Sequence, residues 1–173
     1  MHLRIENIKE AEKKGFFVLR TREGKKDILD KLKLFIQQET GYTIPDGIKF
    51  ERKAIKHIFE NHGYDTELWW GTSITYKHFT KIPEILSEHD ECNKITFIEE
   101  SKEHIRFHLK KSYGSDYYNL VVEILQDNPV VNQLWAITLY INDVVWEMNY
   151  LQAKQRGEVK KCRARIREKY ETR

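Results

Sequence analysis

Apolar and polar residues along this chain change their spacing near residue 90, and the change divides the sequence into two kinds of structure. Before it the spacing is mostly helical. FFVL at 16–19 reads as a short strand. Ile28, Leu29, Leu32, Phe35 and Ile36 then recur at three- and four-residue intervals, which predicts an amphipathic helix over 26–39 stopped by Gly41. Ile55, Ile58 and Phe59 form the apolar stripe of a second helix over about 51–62, with Gly63 placed as its C′ glycine. A third helix is expected from Thr75 as N-cap, with Phe79, Ile82, Ile85 and Leu86 on its apolar face and Pro83 disturbing the run.

After residue 90 the period falls to two. KITFIE (94–99) and HIRFHLKK (104–111) alternate, separated by the polar turn ESKE. GSD at 114–116 leads into YYNLVVEIL (117–125), and QDNPVVN turns into LWAITLYI (134–141). Four strands with short connections predict an antiparallel β-meander. Strict alternation in the last strand groups Thr138 and Tyr140 with Leu134 and Ala136, and groups Trp135 with Ile137, Leu139 and Ile141 on the apolar side. From about Asp143 the chain reads as helical again. The expected class is α+β: N-terminal helices packed on a four-stranded antiparallel meander, then a C-terminal basic helix. The organisation expected is an N-terminal strand and helix extension at 1–45, an α+β domain at 46–145 and the basic helix at 146–173. The weakest joint is ETGYTIPDG at 39–47. Helices on one sheet face leave the other uncovered, which suits a long substrate.

Composition supports a folded domain. Of 173 residues, 40% are hydrophobic and 33% charged, too apolar for a disordered chain. No apolar run approaches the roughly 18 residues of a membrane span. MHLRIENIKEAEKK lacks the apolar core of a signal peptide, and Cys92 and Cys162 form no CxxC, so a reduced, cytoplasmic protein without a membrane partner is expected. The formal charge of +3 is uneven: residues 151–173 carry +6 and the remainder −3. A basic tail on a near-neutral body points to a polyanion partner, with Lys160, Lys161 and Arg163 as contacts, or to a solvated helix face.

Seven histidines are the main candidates for chemistry. His57 and His62 lie five apart, which on a continuous helix leaves them about 140° apart, a poor arrangement for one metal ion. His57 is followed by isoleucine instead of the glutamate of a zinc-protease helix, and neither metal nor cofactor is expected. His62 falls on the apolar stripe at the helix C-terminus, which favours its cationic form. It is either a core residue or one aimed into a site. Arg106, His108 and Lys110 share the polar face of one strand at a spacing of about 7 Å, close to that of successive phosphates in an extended nucleic acid. The bland alternative is a solvated strand face. Thr138 and Tyr140 are expected on the uncovered side. The Trp69–Trp70 pair offers a platform for a base or a core contact.

Four blocks in order, IKHIFENHG, TSITYKHFTKIPEIL, YYNLVVEI and LWAITLYI, resemble the phage-associated nuclease domains of the barnase–EndoU–colicin–RelE-like superfamily. Those domains show a helix ending in HI-x-x-x-H-G, a segment ending in I-P-x-I-L, a β-meander and a late strand with a threonine. The match covers about residues 48–145 and departs at Lys77-His78, where an acidic residue often precedes the phenylalanine. The resemblance implies helices on a four-stranded antiparallel sheet. It also implies toxin-like or phage-associated endoribonuclease activity that needs no metal, with His57, His62 and Thr138 in the site. Arg106, His108, Lys110 and Tyr140 are added from strand geometry. The partners implied are RNA, and an immunity or antitoxin protein or a phage structural protein. The alternative is an inactive phage or mobile-element protein that uses the scaffold to bind nucleic acid or a host protein.

Overall fold

The structure is a computed structural model and describes residues 3–20, 26–63, 72–125, 133–143, 152 and 155–157. In chain order the elements are α1 (Ile5–Lys14), β1 (Phe16–Arg20), α2 (Asp30–Thr40), β2 (Gly47–Glu51), α3 (Arg52–His62), α4 (Tyr76–Phe79), α5 (Ile82–Glu88), β3 (Glu91–Glu99), β4 (Lys102–Tyr113), β5 (Asp116–Leu125) and β6 (Leu134–Asp143). The class is α+β. No helix among the described residues is long and apolar enough to cross a membrane.

The four expected strands pair antiparallel in sequence order, β3 with β4, β4 with β5 and β5 with β6. The β3–β4 turn is tight because Glu100 and Ser101 both adopt positive φ, the backbone a two-residue hairpin requires. The meander is not the whole sheet, however. Two further strands extend it to six in the order β1-β2-β6-β5-β4-β3, and β2 runs parallel to β6. The chain GIKFE of β2 sits between a proline-containing joint and a helix and is only five residues long, so its Ile48–Phe50 alternation is easily read as part of the joint. β1 joins the sheet by pairing with β2, and Leu3, Ile8, Leu32 and Ile36 of the N-terminal extension belong to the same core as the meander.

The N-terminal segment, read above only for its lack of a leader, forms α1. Its Ile8 and Ala11 are fully buried, and Gly15 ends it in the left-handed conformation. α2 starts at Asp30, later than expected, because Asp27 turns the chain first, its carboxylate accepting from the Leu29 amide at 2.9 Å. Gly63 is not a left-handed cap. Its backbone is extended, and its place is explained by crowding: a Cβ there would lie 2.3 Å from the Phe59 carbonyl oxygen. The expected third helix is two. α4 ends at Phe79, and Pro83 stands in the first turn of α5, where its missing N–H costs nothing.

One sheet face forms the core. Ile105, Phe107 and Leu109 stand opposite Ile124, Val122 and Leu120, and these meet Leu134, Ala136 and Leu139. Phe107 takes the edge of Phe35 from α2, with ring centroids 6.0 Å apart. α3 leaves the sheet directly after β2 and runs beside β6, with Ile55 and Ile58 buried in the core. Of the expected C-terminal helix only Gln152 and 155–157 are described, where the Arg156 amide donates to the Gln152 carbonyl at 3.2 Å. Lys160, Lys161, Arg163 and the Trp69–Trp70 pair lie outside the described residues.

Candidate active site

The second face of the meander carries the polar candidates, and strand register sets who stands beside whom. Across β6, β5 and β4 the residues lie abreast as Trp135, Glu123 and Arg106, then Thr138, Val121 and His108, then Tyr140, Asn119 and Lys110. The grouping of Thr138 and Tyr140 with Leu134 and Ala136 is corrected here. Val122 stands opposite Ala136 but Val121 opposite Thr138, so Ile137 is the extra residue of a β-bulge. Alternation restarts after it. Leu134, Ala136, Leu139 and Ile141 face the core, and Thr138 and Tyr140 share the outer face with Trp135.

α3 forms the wall of this face. His57 and His62 approach each other at 6.0 Å between ring centroids, with their planes 81° apart, despite their angular separation on an ideal helix. His62 is 5.5 Å from the Tyr140 ring, and Tyr140 is 6.0 Å from the His108 ring. Three histidines and a tyrosine thus form a connected arc from helix to sheet. Burial, and secondarily the neighbouring His57, push the His62 imidazole down to about 4. The expected cationic form is overruled, because loss of water around a buried charge outweighs the helix-end field. His62 is neutral at pH 7. Asn61 Nδ2 donates to the His57 backbone carbonyl at 2.9 Å and meets His57 Nδ1 at 3.1 Å, which holds the ring by one nitrogen.

The supporting residues Asn119, Glu123 and His104 were not singled out from the sequence. Asn119 is only 2% exposed. Its Nδ2 donates to the Tyr117 carbonyl at 3.0 Å, so Oδ1 accepts from His108 Nε2 at 2.8 Å. The Tyr140 hydroxyl lies 3.3 Å from the same nitrogen. Glu123 is 7% exposed and uses both carboxylate oxygens, one with His104 Nδ1 at 3.1 Å and one with Arg106 Nε at 2.5 Å. Their signal was present: Asn119 and Glu123 are polar residues four apart in an otherwise apolar strand, hence on one face.

Arg106, His108 and Lys110 do share a face, but they are not an open row of solvated cations. Arg106 is paired with Glu123 and lies 4.5 Å over the Phe97 ring, His108 is held by Asn119, and Lys110 lies 4.0 Å over the Tyr117 ring with Glu91 at 3.9 Å. Thr138 Oγ1 is buried and has no hydrogen-bond partner among the described residues. A buried hydroxyl left in that state costs about 1–3 kcal/mol, which a bound acceptor would relieve. Beside this arc a cleft of about 450 Å³ opens between α3 and the sheet, with His57 on its wall. No protein-family model, curated protein or solved structure matches the chain.

Proposed function

We propose that the protein is a metal-independent endoribonuclease that cleaves RNA by attack of the ribose 2′-OH on the adjacent phosphate. The observation that carries this reading is the arc of His57, His62, Tyr140 and His108, drawn from a helix and two strands onto one face. RNA holds its own nucleophile. The enzyme must remove one proton, deliver another and stabilise the charge that builds on phosphorus.

A ring held near 4 is unprotonated at pH 7 and cannot be the acid, so His62 is the base. On its own it is a weak one. A phosphate anion brought beside it favours the protonated form and raises its basicity toward working pH. His62 then takes the 2′-OH proton as the 2′ oxygen bonds to phosphorus. His57, exposed at the mouth, delivers the proton from Nε2 to the leaving 5′ oxygen as the P–O5′ bond breaks. The hydroxyls of Thr138 and Tyr140 donate to the phosphate oxygens, and His108, oriented by Asn119, holds the Tyr140 ring in place.

Purified protein incubated with total tRNA and rRNA in EDTA is expected to release fragments with 2′,3′-cyclic phosphate and 5′-hydroxyl ends. Strict dependence on a divalent ion removes the mechanism. RNA binding without cleavage moves the protein to the inactive-scaffold alternative.

A further inference from the structure

We propose that the cleft between α3 and the outer face of β4–β6 seats the nucleobase next to the cleaved bond, and that it selects bases carrying an exocyclic amino group. This deepens the ribonuclease reading and rests on it. The cleft, about 450 Å³, is of the size that holds small ligands. Its floor is rigid. Glu123 is nearly fully buried with both oxygens engaged, and its partners Arg106 and His104 both pack on Phe97, Arg106 at 4.5 Å and His104 stacked at 5.0 Å with planes 12° apart.

The polar groups on this floor fit a flat heterocycle. A carboxylate offers about four acceptor sites, and His104 and Arg106 occupy two of them, so acceptor capacity remains at a fixed position. Trp135 stands directly beside Glu123 on the next strand and lines the cleft, braced by Lys49 Nζ at 4.5 Å from its ring. Its indole Nε1 is buried and has no hydrogen-bond partner among the described residues. An aromatic face to stack on and a fixed carboxylate acceptor for an amino group at the ring edge are what such a base requires.

Charge separates this seat from the phosphate site. Glu51, Glu99 and Glu123 line the cleft against Lys53 and Arg106, so carboxylates outnumber the fixed cations there and the cleft suits an uncharged ring better than an anion. His57 belongs to both the cleft and the histidine arc and joins the two. Adenine, guanine and cytosine present an amino group to the carboxylates. Uracil presents carbonyls on either side of a single N–H and meets them with like partial charge.

The test is calorimetric titration of the whole protein with adenosine, guanosine, cytidine and uridine 3′-monophosphates. The three amino-bearing nucleotides are expected to bind about 10-fold or more tighter than the uridine compound, the worth of one hydrogen bond to a charged acceptor. Trp135→Leu should weaken them by about 5–150-fold, the worth of one base–aromatic stack. Equal binding of the uridine compound, no binding of any of the four at millimolar concentration, or unchanged affinity in a folded Trp135→Leu protein overturns the proposal. If that variant does not fold, the comparison of the four nucleotides on the unaltered protein decides. The two readings fail separately. Base selection without RNA cleavage sinks the nuclease and leaves the seat, whereas cleavage that depends on His62 but shows no base preference sinks the seat alone.

Discussion

Ile105, Phe107 and Leu109 alternate along β4 with His104, Arg106 and His108, and the two sets obey different rules. On the inner face any well-fitting apolar group serves, because burial of apolar area is non-directional and additive. On the outer face each polar side chain has a named partner across the register: Arg106 with Glu123, His108 with Asn119, His104 with Glu123. The inner face therefore tolerates apolar-for-apolar changes that keep volume. The outer face tolerates changes of neither chemistry nor volume, since a buried polar atom that loses its partner keeps the full cost of desolvation. A sheet whose two sides are held this differently can lose its chemistry without losing its fold, and the reverse.

The sharpest way to break that contrast is His62→Ala. RNA cleavage should fall by about 10²–10⁴, the usual worth of a positioned acid or base, while thermal unfolding stays cooperative. Single-turnover rates on a defined RNA in EDTA measure it, and wild-type rates would remove His62 from the site. On the opposite face Phe107→Ala should cost about 3–5 kcal/mol in urea unfolding, because it empties the space where Phe35 and Phe107 meet edge to face. The fraction still folded should cleave at the normal rate. A large change in rate at full folding would mean that the faces are coupled.

The smallest effect is a pH dependence of stability. His62 titrates near 4 in the folded protein and near 6.5 when unfolded. As pH falls below about 6.5 the unfolded chain takes up the proton first, so folding loses stability between about pH 6.5 and pH 4 and levels off below. With partial solvent screening the loss is about 1–2 kcal/mol. His62→Gln should flatten that part of the profile, and an unchanged profile in the variant would show that another group causes it.

Much of the architecture was legible because it rests on period. α2, α3 and the strands β4–β6 have apolar residues at spacings that bury one side only when the chain is helical or extended, whereas edge strand β3 leaves Ile95 and Ile98 exposed. The antiparallel order follows from short connections. β2 and α1 escaped because GIKFE is too short for its period to stand out, and because the apolar positions of α1 form only a narrow stripe. The sequence by itself singled out His57, His62 and Thr138 through the family resemblance, and Arg106, His108 and Tyr140 through strand alternation.

Only the tertiary structure decided which of them meet. The bulge at Ile137 reset the alternation of β6, a change of one unpaired residue that no period-two count contains. α3 was set against β6 by the parallel pairing of β2, and that brought His62 to Tyr140. Glu123 and Asn119 became anchors because register put them opposite Arg106 and next to His108. Each of these contacts joins residues 11 to 86 apart in sequence, from His108 and Asn119 to Ile48 and Leu134. Local spacing sets the face a residue occupies only where the strand ladder is unbroken. The neighbour across that face is set by the whole chain closing on itself, because packing and strand register are satisfied jointly and not residue by residue.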